Sequence, residues 1–137
     1  YEIGKGITLR ERKDVTIIAT GIEVAYALEA AEMLAADGIE ATVVNMHTIK
    51  PLDKELVVKV AKATNKVFTL EEHSIIGGLG SAISELITDE GLGLKLVRIG
   101  VNDEFGQSGT ASELLEHYGL SAIKIAEKIK HELSHKN

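Results

Sequence analysis

Apolar residues in this chain come in short blocks set between longer amphipathic stretches. Residues 15–19 are β-branched and almost continuously apolar, as a strand buried on both faces of a parallel sheet reads. Residues 41–44, 67–70 and 94–99 read as three more strands. Between them the spacing turns helical. Val24, Leu28, Ala31, Leu34 and Ala35 form one stripe, and Gly38 stops it. Thr20-Gly21-Ile22-Glu23 matches a capping box opening that helix at Thr20. Asp53 caps a second helix running to Ala63, with Pro51 just outside it. A third helix runs to Thr88. Thr110-Ala111-Ser112-Glu113 matches another capping box, opening a short helix that ends at Gly119. Ser121 starts a last helix to about Leu133. Residues 7–10 read as a short strand at an antiparallel edge. Strands alternating with helices predict βαβ units. The expected fold is α/β, a three-layer Rossmann-like or flavodoxin-like domain. Its sheet would hold four parallel strands and one antiparallel edge strand.

Length and composition narrow the picture. At 137 residues the chain is expected to be one domain over 1–137, long enough for a real core. The net charge of −6 and the scatter of the lysines and arginines argue against a nucleic-acid partner. No cysteine occurs, so disulfide and thiol chemistry are excluded. No apolar run approaches the ~20 residues that span a bilayer, and no signal peptide is visible. No membrane partner is expected, and a cytoplasmic location is. Tyr1 stands where a methionine would, so the chain is expected to be a fragment of a longer one.

The densest candidate chemistry lies in residues 66–81. An apolar run ends in Glu71, Glu72 and His73. Gly77, Gly78 and Gly80 follow, then Ser81 and an amphipathic segment. A carboxylate beside an imidazole suits acid–base work. Equally, Glu71 could end a strand and bond a nearby loop N–H. The glycines permit close backbone approach, either to an anion at a helix start or to another chain. A side chain at Gly78, as in Gly78→Val, is expected to lower stability or disrupt assembly. The loop is not a G-x-G-x-x-G fingerprint, and no phosphate-binding G-x-x-x-x-G-K-[ST] occurs. Thr20-Gly21 could hold a phosphate at a helix start, but Glu23 would repel it. Ile75, Ile76, Leu79 and Phe105 would collect at the carboxyl edge of the sheet, where ligands of such folds gather. Phe105 either anchors an interface or tucks under its own loop. His47 reads as a hydrogen-bonded loop residue, and His117, His131 and His135 as solvated. No histidine pair has ligand spacing, so no metal is expected. No G-x-S-x-G elbow is present.

Four segments in order carry a resemblance. They are Asp14 to Gly21, Asn45 to Asp53, Glu71-Glu72-His73 with Gly77-Gly78-Leu79-Gly80-Ser81, and Gly100 to Gly109 with its Gly106-Gln107-Ser108-Gly109 ending. Together they resemble the C-terminal domain of transketolase-like enzymes over about residues 3–130. That group includes transketolase and its split-gene form, 1-deoxyxylulose-5-phosphate synthase and the beta subunits of 2-oxo acid dehydrogenases. His47 departs from the arginine common in relatives. The resemblance implies a transferase that moves two-carbon ketol units between sugar phosphates, with thiamine diphosphate and Mg²⁺ in the full enzyme. It implies a homodimer, other domains or a subunit of the same enzyme as partners, and no catalytic residue on this domain. Its Glu71, Glu72, His73, Ile76, Gly77, Gly78, Gly80, Ser81 and Phe105 are then interface or anion-binding candidates. No Gly-Asp-Gly occurs, so the cofactor is not expected to bind this domain alone. The alternatives are a synthase or dehydrogenase C-terminal domain, or a free-standing anion- or nucleotide-binding module.

Overall fold

The computed structural model describes residues 5–21, 23–47, 49–72, 78–101 and 111–134, with side chains in the last range from residue 122. The elements are β1 (Ile7–Arg10), β2 (Val15–Ala19), α1 (Glu23–Ala36), β3 (Ala41–Asn45), α2 (Lys54–Thr64), β4 (Val67–Glu72), α3 (Leu79–Asp89), β5 (Leu96–Val101) and α4 (Ala111–Ser134). The five strands form one sheet in the order β1-β3-β2-β4-β5. β2 pairs parallel with β3 and β4, and β4 with β5. β1 runs antiparallel beside β3. The expected α/β layering with an antiparallel edge strand is therefore what the chain adopts.

Alternation along the central strands divides the core in two. Val15, Ile17, Phe68 and Leu70 meet Tyr26, Ala27, Ala30, Ala31 and Leu34 of α1 and Ala122, Ile125, Ala126 and Ile129 of α4. Ile18, Val44 and Val67 turn to the other face. There they meet Val57, Val60 and Ala61 of α2 and Leu79, Ile83 and Leu86 of α3. The three buried alanines of α1, Ala27, Ala30 and Ala31, let it pack closely against the sheet and α4. Of the stripe read from the sequence, Ala31 and Leu34 are buried and Val24 and Leu28 only partly so; Tyr26, Ala27 and Ala30 are the core residues it passed over.

Local signals explain most boundaries. Gly38 has φ +81°. Its N–H donates to Ala35 O, and Ile39 N–H to Leu34 O, the two bonds of a Schellman ending. Asp53 caps α2 through Leu56 N–H. Two expectations fail. α1 starts at Glu23, because Gly21 takes φ +57° and cannot be the first helical residue after Thr20. The two C-terminal helices are one, α4, whose helical backbone continues through Gly119. An interior glycine costs a helix about 1 kcal/mol relative to alanine, which a 24-residue helix packed along its second half absorbs. Among the described residues no helix is long and apolar enough to cross a membrane.

Candidate functional site

The parallel strands end together at Ala19, Asn45, Glu72 and Val101. From β2 the chain moves through α1 to β3 on one side, whereas β4 lies on the other. The strand order therefore reverses between β2 and β4, the place where open α/β sheets hold ligands. The segments after these two strands are Thr20–Gly21 and residues 73–78.

Glu71 is the best-defined side chain at this edge. Residues of β4 alternate between the two cores, and Glu71 falls two places beyond Thr69 and four beyond Val67, on the α2–α3 side. Its carboxylate is buried, 5% exposed. One oxygen, Oε1, accepts from Leu79 N–H at 2.8 Å. The other, Oε2, accepts from Gly80 N–H at 2.9 Å. These are first-turn donors of α3, which have no partner within the helix. The N-cap, Gly78, has no side chain to serve them. Glu71 thus caps α3 from a neighbouring strand, and its charge faces the positive end of the helix dipole. The structural alternative weighed for Glu71 is the geometry found.

Gly80 is where the backbone approach is closest. A Cβ there would lie 2.8 Å from Glu71 Oε2 and 2.9 Å from Arg98 Cδ and Nε. Gly78 is less restricted than expected. Its φ is −77°, and a Cβ would meet Ile49 Cδ1 at 3.5 Å and Glu71 Oε1 at 3.8 Å, ordinary contacts. The constraint assigned to Gly78 belongs to Gly80. Arg98 was not singled out in the sequence. Its signal was spacing along β5, which sets it level with Thr69 in β4.

The remaining candidates are dispersed. Glu72, one residue beyond Glu71, is exposed, and Ser81 is half-buried in α3. His73, Ile76, Gly77 and Phe105 lie outside the described residues. Asp53 sits at the same edge, buried, and does two things at once: Oδ1 accepts from Leu56 N–H, and Oδ2 from Gly6 N–H at 2.9 Å. Among the described residues no three histidine, aspartate or glutamate side chains are grouped to hold a metal ion. A phosphorylated ligand would find the Leu79 and Gly80 donors taken by Glu71. It would also meet the negative charges of Glu71 and Glu72. The described part of the edge is a poor anion seat and a well-braced surface.

Comparison with known proteins gives a consistent match. Residues 4–125 fit the family described as transketolase, C-terminal domain. A Methanocaldococcus jannaschii protein named as a transketolase C-terminal section is 53% identical over 97% of this chain and 41% of its own length. The 1-deoxy-D-xylulose-5-phosphate synthase of Heliobacterium modesticaldum is 51% identical over 90% of this chain and 19% of its own. A solved split-gene transketolase, an inactive beta4 tetramer, superposes with a TM-score of 0.80 at 50% identity, over 100% of this chain and 45% of that one. The chain thus spans less than half the length of these relatives.

Proposed function

This chain belongs to the transketolase C-terminal domain family, and from that premise we propose that it serves a transketolase whose chemistry lies on other domains. The enzyme would transfer two-carbon ketol units between sugar phosphates in the cytoplasm, working as a dimer. This domain would contribute to assembly through its carboxyl edge. The observation that carries the reading is Glu71. The side chain best placed to do chemistry is spent on bracing α3 through Leu79 and Gly80 N–H. What remains at the edge is a rigid surface.

Thiamine diphosphate, which supplies the carbanion chemistry of such enzymes when bound with Mg²⁺, does not fit the described residues. Its diphosphate would compete with Glu71 for the same N–H groups. Its Mg²⁺ would lack a ligand group here. No step is therefore assigned to these side chains.

The test has two arms. Calorimetry of the isolated chain with thiamine diphosphate and Mg²⁺ should give no binding, and micromolar binding would refute the division of labour. In the intact enzyme, Ile76→Asp with Phe105→Asp should weaken the dimer on sedimentation while circular dichroism stays native. A folded double variant with full dimer and activity would refute the assembly role. The 51% identity to a 1-deoxy-D-xylulose-5-phosphate synthase favours a second reading, in which the intact enzyme is such a synthase and its donor is a 2-oxo acid rather than a ketose phosphate. Assaying the intact enzyme with pyruvate against a ketose phosphate donor separates the two.

A further inference from the structure

Strand β1 is inverted for a solvent-facing edge. Its apolar residues Ile7 and Leu9 are 38% and 45% exposed, while Thr8 and Arg10 are half-buried. A strand covered on one face ordinarily turns its apolar residues inward. A one-residue slip would reverse the pattern, yet the register is pinned. Gly6 N–H donates to Asp53 Oδ2, and a Cβ at Gly6 would meet Leu56 Cδ2 at 2.8 Å. The register then shifts between Thr8 and Arg10, which leaves Leu9 as the extra residue of a bulge. The inversion has a cost. Arg10 Nε is buried with no hydrogen-bond partner among the described residues, an unfavourable state. A pinned, unfavourable inversion points to something covering the outer residues.

The same anchor says from where. β1 is antiparallel to β3, with Ile7 opposite Asn45, so the backbone reaches β1 from the carboxyl edge. The relatives are more than twice as long as the part matched here, and that part is their C-terminal domain. Their remaining length precedes it. A neighbour tethered just ahead of β1 is held at high effective concentration beside Ile7 and Leu9.

We propose that Ile7 and Leu9 are the docking surface for an apolar face of the preceding part of the same enzyme, a proposal that rests on the family reading above. The chain has no cysteine, so single Ile7→Cys and Leu9→Cys variants of an intact enzyme whose other parts carry serine for any cysteine place one site-specific thiol each. Maleimide labelling, read by mass spectrometry of the β1 peptide, should be at least about tenfold slower in the native than in the urea-unfolded enzyme. Photocrosslinking from a benzophenone maleimide, attached to Leu9→Cys before refolding, should capture a peptide from the preceding part. Labelling at the unfolded rate in both variants would overturn the proposal. So would crosslinks only to a second copy of this domain. A ketol-transfer assay of the unmodified enzyme reports separately on the family reading, because labelling and crosslinking do not depend on activity.

Discussion

Replacing Gly80 with alanine tests the tightest contact at the carboxyl edge. The added methyl carbon would sit 2.8 Å from Glu71 Oε2 and 2.9 Å from Arg98 Cδ and Nε. Arg98 is exposed, and its side chain can swing into solvent. Glu71 cannot move as cheaply, being buried and bonded to both Leu79 and Gly80 N–H. Overpacking of this kind costs about 1–3 kcal/mol. Lengthening one charged hydrogen bond costs about 1.5–3 kcal/mol if the bond is lost. Alanine returns up to about 1 kcal/mol of helix propensity. The net expectation is a loss of about 3 kcal/mol, or about 10 °C in melting temperature for a domain of this size. Gly78→Ala is the internal control, because its Cβ would meet only ordinary contacts at 3.5 and 3.8 Å. It should change stability by no more than about 0.5 kcal/mol. Urea titration by circular dichroism measures both. Gly80→Ala with Arg98→Ala should recover part of the loss, since one of the two obstacles is gone. A Gly80→Ala protein as stable as the parent would refute the account of the clamp.

Three further outcomes follow from the same geometry. Glu71→Gln keeps one acceptor oxygen and turns an NH₂ group against the other N–H, so urea titration should show a loss of about 1.5–3 kcal/mol; a loss below about 0.5 kcal/mol would mean the clamp is slack. Asp53→Ala removes the cap of α2 and the tie to Gly6, for about 2 kcal/mol in all, and amide exchange in β1 should quicken more than in β2; equal changes in both strands would dissociate Asp53 from β1. Gly38 has φ +81° and open space about its Cα, so Gly38→Ala should cost about 1 kcal/mol from backbone strain alone; a melting temperature at or above the parent's would remove the left-handed ending of α1.

Much of the fold was legible because its signals are local. The apolar run at residues 15–19, the Gly38 stop and the Asp53 cap each act within a few residues. The antiparallel edge strand was placed correctly from its length and position. Misreadings arose where a local signal met a tertiary one. Thr20 to Glu23 satisfies a capping pattern, but Gly21 spends its freedom on a left-handed turn. Gly119 looks like a stop, but packing of Ala122, Ile125, Ala126 and Ile129 holds the helix together around it. The candidate site was legible in part. Glu71 was named, and its bond to a loop N–H was one of the readings weighed. Which N–H groups it meets depends on how α3 docks on β4, and periodicity does not carry that. Gly80 and Gly78 are alike in sequence; the close approach of Glu71 Oε2 and of Arg98 from the neighbouring strand tells them apart. The exposed apolar pair Ile7 and Leu9 could not be seen as inverted until the register of β1 was known.

The Gly6–Asp53 hydrogen bond spans 47 residues, and this matters for the order of events during synthesis. Ile7 to Arg10 are made before the strand and the cap residue of this domain that receive them. Their pairing partner, β3, follows some thirty residues later, and the acceptor that pins their register lies beyond that, at the start of α2. At synthesis rates of about 5–20 residues per second, a gap of that length lasts roughly 2–9 s. Throughout that interval the nascent chain carries two large apolar side chains on an unseated strand, with no intramolecular anchor yet made. Among the strands of this domain, β1 therefore waits longest for the contact that fixes it. Whatever shields it early, such as a chaperone, acts before the domain itself can.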